Sequence, residues 1–415
     1  MGLAAAHHAL KRGHEVTVLE AAPEPGGMAA HFDLGGISIE RFYHFVCKAD
    51  RATFALLSDL GIADKMRWVP TTMGYFFDER LYPWGDPISL LTFPKLSFVQ
   101  KLRYGAMMFF SSRRKDAGKL EYVTAKQWIT QWCGAALYNA LWRPLFDYKF
   151  YQYADNISAA WVWTRIKRVG TSRRSLLQEE LGYIEGGSQT LVDALSKAIV
   201  AQGGTLRLNA PVSRIACAGG KVSGILAGGQ EFPADAVICT VPTPYVSRLV
   251  PDMPADERGR YDAITNVGVV CVVFRLKKRI TPHFWVNISD KRFAIPGVVE
   301  FSNLRPVPDT VVYVPYYMPV SHPKFGRPDA AFIEETFGYL KLINPALENS
   351  DIVASHVGRL RHAQPVCPPG FAAMIPPVET SIQGLQIADT CFYYPEDRGI
   401  SESVRLGKLM AERVP

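Results

Sequence analysis

The apolar positions at the start of the chain predict a helix followed by a strand. Residues 4–10 are rich in alanine and leucine, which is typical of a helix lying close to a sheet, and Gly13 would end it. Residues 15–20, EVTVLE, form an apolar run that closes on an acid, as a buried strand would. This order indicates the second half of a βαβ unit, although any small-residue helix followed by a strand has the same pattern.

Glycines around these two elements point to the binding of a dinucleotide. Gly2 lies 18 residues before Glu20, close to the spacing between the last glycine of G-x-G-x-x-G and the acid that binds the ribose. The pair Gly26 and Gly27 would let the backbone approach a phosphate, because glycine has no β-carbon. In such a unit the helix N-terminus faces a pyrophosphate.

The next part of the chain has the pattern of a largely helical region. Residues 54–60 predict an amphipathic helix, and residues 73–84 predict a hairpin with Asp78 and Glu79 at its tip. Residues 96–114 predict a basic helix with an apolar, aromatic face. We favour packing of that face in the core over the alternative, in which it lies on a membrane surface.

The second half of the chain alternates between strands and helices. The continuous β-branched run at residues 267–276 predicts the central strand of a mixed sheet, because such a strand is buried on both faces. The other predicted elements are strands at residues 205–208, 211–215, 235–242, 284–288, 298–303, 311–317 and 384–389, and helices at residues 191–201 and 402–413.

Composition and charge indicate a globular protein with two or three domains. The chain has 415 residues, of which 48% are hydrophobic and 20% charged, and its formal net charge is +7. Two segments are locally basic: residues 95–119 contain seven Lys or Arg against one acid, and residues 165–174 contain five and no acid. Such clusters face an anionic substrate, a membrane surface or only solvent.

Several classes of protein find no support in the sequence. The seven cysteines are scattered without a C-x-x-C pair, which predicts free thiols in a reducing compartment and no metal site. No apolar run reaches the roughly 18 residues that span a bilayer. No P-loop or Ser/His/Asp arrangement is present, so kinase and hydrolase functions are not indicated.

Taken together, the motifs resemble the flavin-dependent amine oxidase superfamily, which includes protoporphyrinogen oxidases, phytoene desaturases and, more distantly, UDP-galactopyranose mutases. The motifs are the first helix with EVTVLEA and Gly-Gly, the segment YIEGGSQTL with its helix and second glycine pair, V-x-x-I at residues 212–215, and a strand ending at Asp389 before a helix-opening glycine. Several motifs in the family's order are far more specific than a single glycine triplet.

The resemblance implies an α/β fold. A Rossmann-like FAD-binding domain of the two-dinucleotide-binding-domain flavoprotein type would be combined with a substrate domain of helices and a mixed sheet. The implied boundaries are residues 1–45, 183–250 and 381–415 for the FAD-binding domain, 46–182 for a largely helical insertion and 251–380 for the substrate-domain sheet.

The sequence departs from the family at its beginning. Members normally start with a hydrophobic strand and a complete glycine motif, whereas this sequence begins inside the motif. The departure predicts either that the true start codon lies upstream of Met1, which we favour, or that the sequence has been truncated within the glycine motif. Without the first strand, pyrophosphate binding and the edge of the sheet would both be affected.

The resemblance also implies which residues bind the cofactor, FAD. Glu20 would bind the ribose hydroxyls, the Val212 backbone would meet the adenine, and Asp389 would bind the ribityl or phosphate region. The free N–H groups of Ile400 and Ser401 would stabilise negative charge on the reduced flavin. The complete implied set is Gly2, Leu3, Glu20, Ala21, Gly26, Gly27, Met28, Val212, Thr240, Pro242, Asp389, Gly399, Ile400 and Ser401.

Candidates for the substrate side follow from the same resemblance. His44, Tyr316 and Tyr394 are the candidate catalytic residues; a structural histidine is the alternative for His44. Arg143, with its aromatic neighbours and Lys149, would suit a flat or long substrate carrying an anionic group, and Tyr317 is the second candidate for substrate binding.

The implied function is FAD-dependent oxidation, a dehydrogenation, of a hydrophobic or anionic small molecule by hydride transfer to flavin N5. Two alternatives stay open. One is a non-redox flavoenzyme like the mutases, acting on a nucleotide sugar and using Arg143, Arg165, Tyr316 and Tyr317. The other is a non-catalytic remnant that has lost its cofactor.

The expected partner is a small-molecule substrate, with no nucleic acid beyond the cofactor and no prediction of the oligomeric state. The expected location is the cytoplasm, with peripheral contact to the inner face of the membrane as an open alternative.

Overall fold

Residues 1–415 form fourteen α-helices and nineteen β-strands in the computed structural model. The helices are α1 Gly2–Lys11, α2 Arg51–Asp59, α3 Pro87–Thr92, α4 Phe98–Arg113, α5 Ala125–Cys133, α6 Ala135–Leu137, α7 Arg143–Phe150, α8 Ala159–Thr171, α9 Ser188–Ala201, α10 Val246–Leu249, α11 Ala255–Asp262, α12 Asp329–Ile343, α13 Phe371–Met374 and α14 Ile400–Glu412. The strands are β1 Thr17–Leu19, β2 His31–Asp33, β3 Ser38–Glu40, β4 Met66–Thr71, β5 Met73–Phe77, β6 Arg80–Trp84, β7 Arg173–Ser175, β8 Gln178–Ile184, β9 Thr205–Arg207, β10 Val212–Ala218, β11 Lys221–Ala227, β12 Gln230–Pro233, β13 Val237–Cys239, β14 Asn266–Leu276, β15 Trp285–Ser289, β16 Gly297–Glu300, β17 Thr310–Met318, β18 Ile352–Pro365 and β19 Leu385–Ile387.

The predicted central strand lies inside the largest sheet. β14 pairs antiparallel with β17 on one side and with β18 on the other, and the full strand order is β18-β14-β17-β16-β15-β5-β6. Within this sheet only β15 and β5 run parallel. Every residue of β17 is buried, because α12 covers one face of the strand and other parts of the protein cover the opposite face.

The parallel part of the fold consists of two separate pairs of strands. β1 pairs with β9, and β13 pairs with β19. No backbone hydrogen bond of a ladder joins the two pairs, so they are linked by packing of the helices around them. The first strand is shorter than predicted, since only Thr17–Leu19 of residues 15–20 pair with a neighbour.

Two helices cross closely beside these pairs. A β-carbon at Gly407 of α14 would come within 2.7 Å of the Met1 carbonyl oxygen and 3.2 Å of the Ala4 side chain. Glycine is therefore required at this crossing, and it lets the first turn of α1 lie directly against the middle of α14.

Most of the predicted elements are present, with shifted ends. The hairpin has its tip at Asp78 and Glu79, whose φ angles of 47° and 67° suit a two-residue turn of the primed type. α9 begins at Ser188 rather than at residue 191, and α14 begins at Ile400 rather than at residue 402.

The interpretation of residues 96–114 as a core helix is wrong. α4 buries only Met107 and Ser111, while Phe98 is 66% exposed and Phe110 is 58% exposed. The helix packs through a narrow face against α8 and α5 and turns its wider apolar face outward.

The cysteines form no disulfide. All seven are free, and all except Cys217 are buried. Among the helices, none combines the length and the continuous hydropathy that crossing a bilayer requires.

Candidate active site

The ends of the parallel strands bring the first group of predicted cofactor residues to one edge. Glu20 follows β1, Thr240 follows β13 and Asp389 follows β19. The N-terminus of α1 lies at this edge too, since a β-carbon at Gly2 would come within 3.2 Å of Thr240 Oγ1. In an open α/β sheet, ligands bind at this carboxyl edge.

Two helices begin at the edge without side-chain caps. No side chain hydrogen-bonds to the first turn of α1 at Met1 or of α14 at Gly399. Their first backbone N–H groups therefore have no intrahelical acceptor, and they favour negative charge. Gly399 and Ser401 line a cavity of about 160 Å³, together with Asp50, Arg168 and Asp397.

The glycine pair after the first strand adopts the conformations that glycine allows. Gly26 has φ 113° and Gly27 has φ 58°, and Met28 follows in a short 3₁₀ turn. A β-carbon at Gly26 would come within 3.0 Å of the Val192 side chain, so the turn sits tightly against α9. Ser188 at the start of α9 donates a hydrogen bond of 2.6 Å to the Ala29 carbonyl oxygen.

Backbone hydrogen bonds join the predicted ribose acid to the predicted adenine strand. Ala210 N–H donates to the Glu20 carbonyl oxygen at 2.9 Å, and Asn209 N–H donates to the Ala22 carbonyl oxygen at 3.1 Å. Val212, the first residue of β10, thereby lies close to residues 20–22. Glu20 Oε1 accepts a bond from Ala22 N–H at 2.9 Å, while Oε2 accepts none from the protein.

Asp389 is buried and holds the C-terminal part of the edge together. Its Oδ2 accepts from Thr243 N–H at 2.7 Å, and its Oδ1 accepts from Cys391 N–H at 2.8 Å. The buried Thr243 hydroxyl beside it has no hydrogen-bond partner. A bound polar molecule would satisfy this group, since buried polar groups rarely stay unpaired.

The edge fits FAD. The two uncapped helix N-termini suit a pyrophosphate, the glycine turn provides close backbone approach, and the free oxygen of Glu20 suits a ribose hydroxyl. The unpaired hydroxyl of Thr243 offers one more polar contact. The contacts of individual residues with FAD remain predictions.

A second group of polar side chains lies on one face of the large sheet. Arg398 Nη2 donates to the Tyr317 hydroxyl at 2.8 Å, and its Nη1 donates to the Ala363 carbonyl oxygen. The preceding residue, Asp397, pairs with Arg165 Nη2 at 2.5 Å. Burial would raise the pKa of Asp397, but the nearby Arg165, Lys149 and Arg398 cations outweigh it and lower this pKa to about 2.

Lys149 on α7 is a half-buried amine without an anionic partner. Its Nζ lies 4.9 Å from the centre of the Trp161 ring and 5.1 Å from that of Tyr317. No carboxylate lies within salt-bridge distance of it. Burial lowers the pKa of Lys149 to about 7, so a large fraction of the amine is uncharged and able to accept a proton at neutral pH.

His44 belongs to the same region. Its Nδ1 is buried and has no hydrogen-bond partner, and burial lowers its pKa, which favours the neutral imidazole. The side chains of this group are deeply enclosed and yet keep part of their surface accessible, as they would when lining an internal cavity; they are Tyr43, His44, Lys149, Arg165 and Arg398.

Tyr316 lies on the opposite face of the sheet from this group. Its hydroxyl shares a hydrogen bond of 2.7 Å with Thr336 Oγ1, and its ring packs against Phe332 of α12. Successive side chains of a strand point to opposite faces, so Tyr316 cannot join the group of side chains that Tyr317 contacts. The assignment of Tyr316 as a catalytic residue is therefore corrected.

Two other predicted residues are already engaged elsewhere. The Arg143 guanidinium lies at the surface, where it pairs with Asp147 at 2.7 Å and with Asp155 at 3.0 Å. The Tyr394 hydroxyl contacts Glu121 Oε2 at 2.5 Å and Ser158 Oγ at 2.8 Å. The Arg143 guanidinium and the Tyr394 hydroxyl are therefore bonded to other residues, and neither group faces Lys149.

The four residues suggested for a mutase do not converge. Arg165 and Tyr317 lie near one another, but Arg143 is at the surface and Tyr316 is on the other side of the sheet. They form no site for a diphosphate.

The Asp397–Arg398 pair was missed as a functional feature of the sequence. The signal is an acid and a base placed directly before the glycine that opens the last helix. Such a position brings both charges to the helix N-terminus at the cofactor edge.

The fold and the site together define a two-part flavoprotein, with a candidate nucleotide-binding edge beside a group of partly enclosed polar and charged side chains. A sequence model of the flavin-containing amine oxidoreductases matches residues 2–385, and the chain belongs to this family. It is an FAD-dependent oxidoreductase. No curated protein matches the sequence significantly.

Solved structures share the fold at low sequence identity. An oxidoreductase from Methanosarcina mazei is 18% identical with a TM-score of 0.74, over 99% of this chain and 97% of the other. A proposed protoporphyrinogen oxidase from Exiguobacterium sp. 255-15 is 18% identical with a TM-score of 0.76, over 99% and 95%. Putrescine oxidase bound to putrescine is 17% identical with a TM-score of 0.74, also over 99% and 95%.

Proposed function

We propose that this enzyme dehydrogenates a hydrophobic or anionic small molecule in an internal cavity, and that Lys149, Trp161 and Tyr317 line this cavity. When bound, FAD supplies the acceptor of the substrate's hydride at its N5 position. The observation that supports the proposal is the enclosed amine of Lys149, which lies against two aromatic rings and pairs with no carboxylate.

Each of these side chains has a distinct task in the proposal. The Trp161 and Tyr317 rings form apolar walls that orient a flat or elongated substrate and exclude water from it. The uncharged amine of Lys149 accepts, at its Nζ, the proton that the substrate loses. Arg398 fixes the Tyr317 hydroxyl and leaves its ring in place as a wall.

The cofactor residues enter the proposal as they were predicted. The N-termini of α1 and α14 would hold the negatively charged parts of FAD, and Glu20 would bind the ribose. The proposed FAD-binding domain comprises residues 1–45, 183–250 and 381–415, and the other two segments enclose the substrate.

The test is the anaerobic reduction of bound FAD by candidate substrates. The loss of the flavin's visible absorption measures this reduction. The panel contains hydrophobic amines and hydrophobic carboxylates, and rates are measured across pH. We expect reduction to accelerate as the pH rises through about 7, because Lys149 then loses its proton. In Lys149→Met the rate should fall by about 10²- to 10⁴-fold and this pH dependence should disappear.

Two control variants test whether Lys149 acts as a proton acceptor, rather than through its positive charge or through an effect on folding. Lys149→Arg keeps a cation that cannot accept a proton, so it should be as slow as Lys149→Met. Arg143→Met removes a surface cation that pairs with two carboxylates. Because Arg143 lies outside the proposed cavity, this change should leave the rate of FAD reduction unchanged. Full activity in Lys149→Met, or no reduction of bound FAD by either class of compound, would overturn the proposal.

A further inference from the structure

The exposed large apolar residues of the protein are concentrated on α3 and α4. Of the fourteen such residues in the chain, seven lie between residues 88 and 110. They are Ile88, Leu91, Phe98, Val99, Leu102, Phe109 and Phe110, and we refer to them as the α3–α4 surface. Single exposed apolar residues are ordinary, whereas a contiguous patch of this kind marks an interaction site.

The residues of α4 share one side of the helix. Phe98, Leu102 and Phe109 follow the spacing of three to four residues that places side chains above one another, and Val99 and Phe110 lie beside them. The buried Met107 and Ser111 occupy the opposite side. The helix is therefore amphipathic, with its broader apolar side turned to solvent.

α3 extends the same surface. A β-carbon at Gly105 of α4 would lie 3.6 Å from the Leu90 side chain, so the two helices are in contact. Lys101 Nζ also donates to the Leu91 carbonyl oxygen at 2.6 Å. The exposed side chains of Ile88 and Leu91 thereby continue the apolar area of α4.

The charged residues within the segment that carries this surface all have one sign. No acidic residue occurs from Pro87 to Lys115, and six basic residues do: Lys95, Lys101, Arg103, Arg113, Arg114 and Lys115. Of these only Lys95 pairs with a carboxylate, Asp78, at 2.6 Å. Arg113 lies 3.6 Å over the Phe109 ring, which places a cation directly on the apolar area.

We propose that the α3–α4 surface binds an anionic phospholipid bilayer, with α4 lying in the plane of the interface. Aromatic and aliphatic side chains on one side, with unpaired lysine and arginine around them, are the properties that hold a helix at a negatively charged lipid surface. Charge complementarity selects this occupant over a second copy of the chain, because two such surfaces would bring their cations together.

Binding is tested with the full-length, FAD-loaded protein and sedimentation of lipid vesicles. Vesicles of phosphatidylcholine are compared with vesicles that also contain phosphatidylserine. We expect binding to the anionic vesicles, weakening as salt screens the charges, and little binding to the neutral ones. Phe98→Ser combined with Phe110→Ser should lower the affinity by about tenfold or more. Arg113→Gln combined with Lys115→Gln should remove the preference for anionic lipid.

Control variants at exposed apolar residues outside the α3–α4 surface test whether lipid binding depends on this surface. Val200→Ser and Leu342→Ser change apolar residues that are 61% and 38% exposed on other helices, and both variants should bind as the original protein does. Thermal unfolding and FAD absorption of each variant verify that it is folded. The proposal fails if the intact protein does not bind anionic vesicles or if the control variants lose binding equally. It also fails if sedimentation shows a dimer that the Phe98 and Phe110 changes dissociate.

Discussion

The two faces of β17 have different surroundings although they belong to one strand. On the Tyr316 face, α12 supplies apolar packing, and the tyrosine hydroxyl bonds only to Thr336. On the Tyr317 face lie the half-buried amine of Lys149 and the charged residues around Asp397 and Arg398. Adjacent residues of the same type therefore have separate roles, one in holding the fold and the other in the candidate chemistry.

The difference between the Tyr316 face and the Tyr317 face shows how one strand can be held firmly on one side and carry polar groups on the other. On the Tyr316 face, apolar packing against α12 fixes the position of the strand, and the one cation over the Tyr316 ring, Lys324, is paired with Glu335. The Tyr317 face can therefore carry buried charges that weaken folding. Substitutions on the two faces should accordingly change different properties of the enzyme. The following four tests compare them at a fixed FAD concentration, since a bound cofactor adds to the apparent stability.

The largest effect is expected for Phe332→Ala on the α12 side. Phe332 is fully buried and its ring centre lies 5.2 Å from that of Tyr316. Removing it should lower the free energy of unfolding by about 3–5 kcal/mol, because the cavity cannot close completely. The rate of FAD reduction in the folded fraction should not change, as measured by anaerobic stopped flow. A slower reduction would show that the two faces are coupled.

Asp397→Asn should come next. It removes the carboxylate that pairs with Arg165 and lies beside Arg398. Breaking a fully buried pair lowers the free energy of unfolding by about 3–5 kcal/mol. Because the Asp397 side chain is 29% exposed, we expect a loss at the lower end of this range, roughly 3 kcal/mol. The folded-state pKa of Asp397 is lowered from 3.8 to about 2, so its contribution is present above pH 4 and disappears as the pH falls through 2. Denaturant unfolding of both proteins across this range should show the difference shrinking with acidity; a constant difference would contradict the ion pair.

Tyr317→Phe should have an intermediate effect. The change removes the acceptor of the Arg398 hydrogen bond, and bonds to charged groups contribute about 1.5–3 kcal/mol. Because the ring also forms a wall of the proposed cavity, we expect a raised KM together with the loss of stability. Unchanged steady-state kinetics would place Tyr317 outside the site.

The smallest effect is expected for Tyr316→Phe. It deletes one buried hydrogen bond to Thr336, at a cost of about 1 kcal/mol. Its kinetic constants should equal those of the original enzyme. A change in kcat or KM here, with none in Tyr317→Phe, would reverse our assignment of the two faces.

The fold could be predicted largely from local patterns and from the order of the motifs. The hairpin at Asp78 and Glu79 depends on neighbouring residues only, and so it was predicted closely. The edge that joins Glu20, Val212 and Asp389 was predicted because each follows or opens an element of a known type. The starts of α9 and α14 shifted by three and two residues, since the apolar pattern marks the interior of a helix more sharply than its ends, and neither helix has a side-chain cap.

The substrate side could not be predicted in the same way. Arg165 and Asp397 are 232 residues apart, and nothing local indicates that they pair. The run around Tyr316 and Tyr317 is buried on both faces, so its pattern does not tell which face either side chain takes. The apolar side of α4 suits a buried as well as an exposed position, and only the packing of the opposite side against α8 and α5 shows that it is exposed.

The residues proposed to hold FAD are distributed over both pairs of parallel strands, and this distribution has a consequence for the stability of the protein. A ligand that contacts two parts of a fold at once binds only the state in which both parts are formed. FAD would then act as a cross-link, and each tenfold excess over its dissociation constant would add about 1.4 kcal/mol to the folded state. Abundance should thus follow the supply of flavin, because the unliganded chain opens more often to proteases. A pulse-chase measurement in flavin-depleted cells, with a half-life equal to that in replete cells, would disprove this dependence.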